Sequence, residues 1–167
     1  MNLVHYIVDG YNLIRRTPAL AGSEQRGLEA GREALLDRLF LYKAGKNIEI
    51  TVVFDGPGGS GFWARGGIRA EFARPADAAI IELAGPGTVV VSSDIEVQEG
   101  ARRRGAQTLS SEEFWGQVVK AIEMRRYRRP AEGRRAAFHG TWDKACEEYE
   151  DDGDGRVPKG RRSRRKR

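Results

Sequence analysis

Three apolar runs in this chain each stop at an aspartate. Residues 3–8 lead into Asp9, residues 48–54 into Asp55, and "TVVVSS" at 88–93 into Asp94. The runs are short and rich in β-branched and aromatic residues, which is the composition of buried strands. A further stretch, "IRAEFA" at 68–73, alternates like a short strand, and "AQTL" at 106–109 reads as another. Between the strands lie segments with helical spacing. This alternation predicts an α/β domain built on a mostly parallel central sheet flanked by helices.

The connecting segments carry their own punctuation. "SEQRGLEAGREALLDRLFLYKAGKN" at 23–47 places Leu28, Leu35, Leu36, Leu39 and Phe40 at helical intervals, and Gly45 and Asn47 supply a stop. "PGGSGFWARGG" at 57–67 reads as a glycine-rich loop. Pro75 marks a helix start, with Gly85 at the expected C-cap. Ser93-x-x-Glu96 and Ser110-x-x-Glu113 both have the form of a capping box, the latter opening a long helix.

In parallel sheets, functional sites form outside the carboxyl ends of the strands. Asp9, Asp55 and Asp94 each fall at such an end, and Asp77 falls in the first turn of the helix after "IRAEFA". Each acid has a structural role open to it. Asp9 and Asp55 precede glycine, as turn residues do, and Asp77 and Asp94 suit helix N-termini. Four carboxylates on one edge, with Asn12 nearby, are harder to assign to caps alone. Clustered carboxylates repel, and a hard divalent cation such as Mg²⁺ or Mn²⁺ relieves that repulsion. Such an ion activates water and supports phosphoryl displacement. Other chemistries lack their residues. The two histidines, His5 and His139, are not placed near Ser92 or Ser93, Tyr11 stands where an aspartyl phosphatase would have its second acid, and "GPGGSG" lacks the lysine of a phosphate-binding loop. Cys146 is the single cysteine, which excludes an internal disulfide and a structural zinc cluster.

"VDGYNLI", "VVFDG", "PADAAIIELA" and "VVVSSD", in that order, resemble the NYN domain of YacP-like ribonucleases in the PIN-like nuclease superfamily. The resemblance spans residues 2 to about 125. It implies a PIN-like three-layer fold and a metal-dependent endoribonuclease site, in a family whose best-known branch cleaves mRNA in association with the ribosome. By position it assigns the catalytic set to Asp9, Asn12, Asp77 and Asp94, with Asp55 as an additional metal ligand. One departure stands out. The family commonly has an acid four residues after the helix aspartate, and here that residue is Ile81, followed by Glu82.

Charge divides the chain. Residues 125–167 hold 15 Lys/Arg against 8 Asp/Glu, whereas the preceding 124 residues hold 14 against 16. The expectation is a nuclease domain over 1–125 and a basic, partly disordered extension over 126–167. Arginine pairs with phosphates and stacks on bases, so RNA, including mRNA and ribosomal RNA, is the expected partner of these segments. The residues expected to contact it are Arg102, Arg103, Arg161, Arg162, Arg164 and Arg165, together with Trp63 and Arg65 on the glycine-rich loop. A helix-end role for the run at 102–104, and simple packing for Trp63, are the structural alternatives. No apolar run reaches the length of a membrane span, and with one cysteine the expected location is cytoplasmic. Two rival readings remain open at this stage: a non-catalytic RNA- or ribosome-binding module with the same fold, and a structure-specific DNA nuclease.

Overall fold

The computed structural model describes residues 3–57 and 63–128. The elements run β1 (Val4–Asp9), α1 (Gly10–Arg16), α2 (Pro18–Glu24), α3 (Leu28–Lys43), β2 (Ile48–Asp55), β3 (Trp63–Arg65), β4 (Ile68–Ala73), α4 (Ala76–Leu83), β5 (Thr88–Val91), α5 (Ile95–Arg103), β6 (Gln107–Leu109) and α6 (Ser111–Arg128). They form one six-stranded sheet in the order β3-β4-β2-β1-β5-β6. Every pairing is parallel except that of β3 with β4. The α/β class and the mostly parallel sheet expected from the sequence are therefore present.

Strand alternation distributes the core over two faces. Val8, Ile50, Val52, Phe54 and Val91 face a layer built from α1, α2, α3 and α6, where Leu13, Ile14, Leu35, Leu39, Phe114 and Val118 are buried. Ile7, Val53 and Val90 face the opposite layer, α4 and α5, and meet Ile80, Val97 and Ala101. Phe114 anchors α6 on the first face, 5.4 Å from the ring of Tyr6 and 5.6 Å from that of Tyr42. The result is a three-layer domain.

Several local expectations are revised. The segment after Asp9 is not a bend but a helix, α1, and α2 follows it, so the connection to β2 holds three helices instead of one. α3 begins at Leu28, and Leu28 itself is 49% exposed. Part of the glycine-rich loop is a strand: Trp63, Ala64 and Arg65 pair with Ala70, Arg69 and Ile68. Gly66 (φ +57°) and Gly67 (φ +78°) form the two-residue link, and a tight hairpin of this hand needs positive φ at both positions. α4 closes at Ala84, one residue before Gly85. At α5 the cap is Asp94 and not Ser93, whose hydroxyl is engaged elsewhere. The box at Ser110 does form. The Ser110 hydroxyl accepts from the N–H of Glu113, and the Glu113 carboxylate accepts from the N–H of Ser110. α6 continues through residue 125 to Arg128. No helix among the described residues is long and apolar enough to cross a membrane.

Candidate active site

β1 lies at the centre of the sheet. The chain proceeds from it to β2 and β4 on one side, then crosses to β5 and β6 on the other. The strand order thus reverses between β1 and β5, and the crevice outside their carboxyl ends is where a parallel sheet places a site. Asp9 is the last residue of β1 and stands at this point.

Asp9 has two structural tasks. One carboxylate oxygen accepts from the Asn12 N–H at 3.3 Å, which caps α1. The other accepts from the buried Ser92 hydroxyl at 3.0 Å. Burial pushes the Asp9 carboxyl above its ordinary pKa. The hydrogen bonds from Ser92 and Asn12 oppose that shift, and the charges of Asp77 and Asp94 add to it.

Asn12 joins three elements. Its side-chain oxygen accepts from the Ser93 N–H at 2.9 Å and from the Ser111 hydroxyl at 2.7 Å. With the oxygen so committed, what remains of the side chain is the amide NH₂, which can only donate. Ser93 extends the network, accepting from the Ser111 N–H at 3.0 Å and donating to Glu112, which lies 3.8 Å from the guanidinium of Arg16. Ser92, Ser93, Ser111 and Glu112 carry this framework, and sequence reasoning assigned them no part in it. The available signal was the pair of serines before Asp94 and the serine beginning α6.

The remaining acids come from neighbouring elements. Asp94 caps α5, accepting from the N–H groups of Glu96 at 2.8 Å and Val97 at 3.2 Å on one oxygen. Asp55 accepts the Ala76 N–H at 3.1 Å on one oxygen and so ties the end of β2 to α4. Asp77 is exposed, and its pKa is raised by partial burial and then by the charges of Asp94, Asp55 and Glu96. Glu96 is therefore a further acid of this edge. Asp77 is the link among these acids: its charge acts on Asp9, and the charges of Asp94 and Asp55 act on it. Even so, no three His, Cys, Asp or Glu side chains among the described residues gather as a ready-made metal cage. Ile81 lies one helical turn beyond Asp77, at a position where the family commonly carries an acid. Here its side chain packs on α5: a Cβ added to Gly100 would stand 2.6 Å from the Ile81 Cδ1. An apolar contact between α4 and α5 occupies that position.

The raised pKa of Asp77 has a thermodynamic consequence. The folded chain holds this proton more tightly than the unfolded chain, whose carboxyl titrates near 3.8. The group therefore favours folding most at low pH. That contribution fades as pH rises from the unfolded value through the raised folded one. At neutral pH the clustered charge opposes folding. In EDTA, Asp77→Asn is expected to raise the Tm at pH 7 and to leave it unchanged near pH 3. Equal shifts at both pH values in a thermal melt would show that these carboxylates do not sense one another.

The residues expected to contact RNA are scattered. Trp63 is half-buried on β3, packed against the main core. The Arg65 guanidinium lies 4.8 Å from the centre of the Phe40 ring. Arg102 and Arg103 occupy the last turn of α5, the end opposite the Asp94 cap, and the structure does not bring them to the crevice. Arg102 donates to Thr108 and Gln98, and Arg103 pairs with Glu99 at 3.4 Å. Arg161, Arg162, Arg164 and Arg165 lie outside the described residues, as do His139 and Cys146. His5 bonds Thr51 at 2.8 Å within the sheet, as a packed histidine does.

A mostly parallel sheet between two helical layers, with Asp9, Asp55 and Asp94 at its carboxyl edge, defines an α/β domain with an acidic edge beside its strand-order reversal. The chain belongs to the YacP-like NYN domain family, whose model matches residues 6–150. Two crystal structures of Rae1 (YacP) from Bacillus subtilis are similar to it. One shares 22% identity with a TM-score of 0.66 and covers 90% of this chain and 93% of that one. The other, a mutant form, shares 25% identity with a TM-score of 0.62 and covers 75% and 80%. No curated protein matches the chain.

Proposed function

We propose that this protein is a metal-dependent endoribonuclease that cleaves single-stranded RNA, with mRNA on the ribosome as its substrate in the cytoplasm. The observation that carries the proposal is the placement of Asp9 and Asp55 at the carboxyl ends of β1 and β2, of Asp94 just beyond β5, and of Asp77 in the first turn of α4. Capping alone does not call for charge at Asp9 and Asp94, because asparagine or serine caps equally well without it.

The donor set fits Mg²⁺ or Mn²⁺. All the candidate ligands are hard carboxylate oxygens. Asp77 accepts no hydrogen bond among the described residues, and Asp94 and Asp55 each keep one oxygen uncommitted. The lack of a three-acid cage is compatible with Mg²⁺, which is commonly held by one or two carboxylates plus water and substrate phosphate. Asp9, Asp77 and Asp94, together with Asp55, would hold the ion. When bound, it would activate a water and stabilise charge on the phosphate. The protein's own groups do the rest. Ser92 fixes the orientation of Asp9, and the Asn12 NH₂ would donate to a phosphate oxygen. The basic extension supplies affinity for the RNA backbone.

A second reading, a non-catalytic RNA- or ribosome-binding module, draws on the capping bonds made by Asp9 and Asp94 and on the missing cage. One experiment separates the two. Purified protein is incubated with single-stranded RNA, with and without ribosomes, in Mg²⁺, in Mn²⁺ and in EDTA. Cleavage that stops in EDTA and returns with either ion is the expected result. RNA that is bound but left intact under all conditions would establish the binding module.

A further inference from the structure

Beside the acidic edge, a cavity of about 380 Å³ opens between α3 and the β3–β4 hairpin. One face of α3 supplies Glu29, Arg32, Glu33, Leu36 and Asp37, and the hairpin supplies Trp63 and Phe72. Its volume falls within the range of small-molecule sites, roughly 300–1,000 Å³. Its position is informative. Phe72 pairs in register with Phe54, and the next pair along is Ala73 with Asp55, so the cavity wall lies one residue from an acid of the candidate site. Arg32 connects the two regions directly, donating to the Tyr11 hydroxyl at 2.9 Å while its guanidinium lies 5.2 Å from the centre of the Phe72 ring.

These walls suit a planar aromatic group and reject a phosphate. Trp63 offers a stacking surface of the kind that holds unstacked bases of single-stranded RNA, and the wall beside it is closed by the Arg32 guanidinium lying over the Phe72 ring. The polar lining is otherwise acceptor-rich. Glu29, Glu33 and Asp37 recur every fourth residue along α3, and Asp37 is the most enclosed of the three. Ionised carboxylates only accept hydrogen bonds. Guanine presents two adjacent donors, N1–H and the N2 amine, on its Watson–Crick edge. Adenine and cytosine present one amine each, and uracil presents a single N3–H flanked by two carbonyls that face the carboxylates unfavourably. We propose that this cavity is a base-binding subsite that selects a guanine of the RNA strand next to the cleaved bond, a proposal that rests on the RNA-cleaving reading of the neighbouring acids. A guanine held there gains two charge-assisted hydrogen bonds in a partly desolvated setting. Burial and the Glu33 charge raise the Asp37 pKa, so its charged form gains from such donors.

The test uses the full chain and five single-stranded RNA hexamers identical except at one position, which carries G, inosine, A, C or U. Binding is followed by fluorescence anisotropy in EDTA, and cleavage sites are mapped in Mg²⁺. The G hexamer is expected to bind about tenfold more tightly than its inosine counterpart, which lacks the N2 amine. Uracil is expected to be weakest. Asp37→Asn combined with Glu33→Gln preserves shape and is expected to erase the difference between G and inosine. Trp63→Leu is expected to weaken every purine hexamer about fivefold or more, and the near-isosteric double variant keeps the test decisive if Trp63→Leu fails to fold. Equal binding and cleavage of all five hexamers would overturn the subsite and leave the ribonuclease reading standing. A G preference that survives the double variant would also overturn it. Failure to bind any hexamer would overturn the subsite, whereas the RNA-cleaving reading falls only if RNA also stays intact in the assay with ribosomes.

Discussion

Asp9→Asn is expected to abolish cleavage and leave the chain folded. The substitution keeps an oxygen to accept the Asn12 N–H, so the α1 cap survives. At the other position an NH₂ replaces the oxygen that accepts from Ser92. The Ser92 hydroxyl can turn to accept from it, since a hydroxyl has two lone pairs and the Asp94 N–H occupies only one. What the variant removes is a charge. Groups that merely orient a metal ligand are worth 10- to 100-fold in metal affinity or activity, so loss of a charged member of the set is expected to cost at least about a hundredfold in rate. RNA binding is expected to hold or tighten, because one negative charge near the phosphate is gone. The Tm in EDTA is expected to rise, because burial and the charges of Asp77 and Asp94 make ionised Asp9 unfavourable in the folded chain. If Asp9 is only a cap, cleavage survives intact in this variant. Rate, binding and Tm measured on one protein distinguish the two accounts.

The parts of the molecule that could be read from sequence were those with a strong local signature. Apolar runs such as 48–54 identified the central strands because parallel strands buried on both faces have no alternation to disguise. The acids were readable because they sat at the ends of those runs, and strand direction alone then placed them on one edge. The helix α1 was not, because "GYNLIRR" opens with glycine and spans only seven residues, too few for a clear periodicity. β3 was hidden in the same way. Three residues between two glycine-rich stretches look like loop until the partner strand is known. Least visible was the network of Ser92, Ser93, Asn12 and Ser111. Its members are as many as 99 residues apart and meet only through the sheet and the α6 start. Ile81 is the converse case: its departure from the family pattern was evident in the sequence, but its contact with Gly100 needed the fold.

The glycine of "DGYN" is fixed by close approach, not by backbone conformation. Gly10 is the first residue of α1 and has no positive φ. A Cβ there would stand 2.3 Å from Cε1 and 2.5 Å from Cδ1 of the Phe54 ring, distances no pair of carbons tolerates. Phe54 cannot simply swing aside. It is fully buried, with the Tyr11 ring at 5.1 Å and the Phe72 ring at 6.1 Å. Gly10→Ala is therefore expected to lower stability by about 1–3 kcal/mol through overpacking, measured by urea unfolding. The displaced ring sits beside Asp55 in sequence, and Gly10 follows Asp9, so activity is expected to fall together with stability. Phe54→Leu alone leaves a partial cavity and is expected to cost about 1 kcal/mol. In the double variant the shorter side chain makes room for the new methyl group. The two losses are then expected to be less than additive, with a coupling of about 1 kcal/mol between residues in direct contact. Additive losses would mean that the methyl group is accommodated without moving Phe54, and that another property of glycine holds position 10.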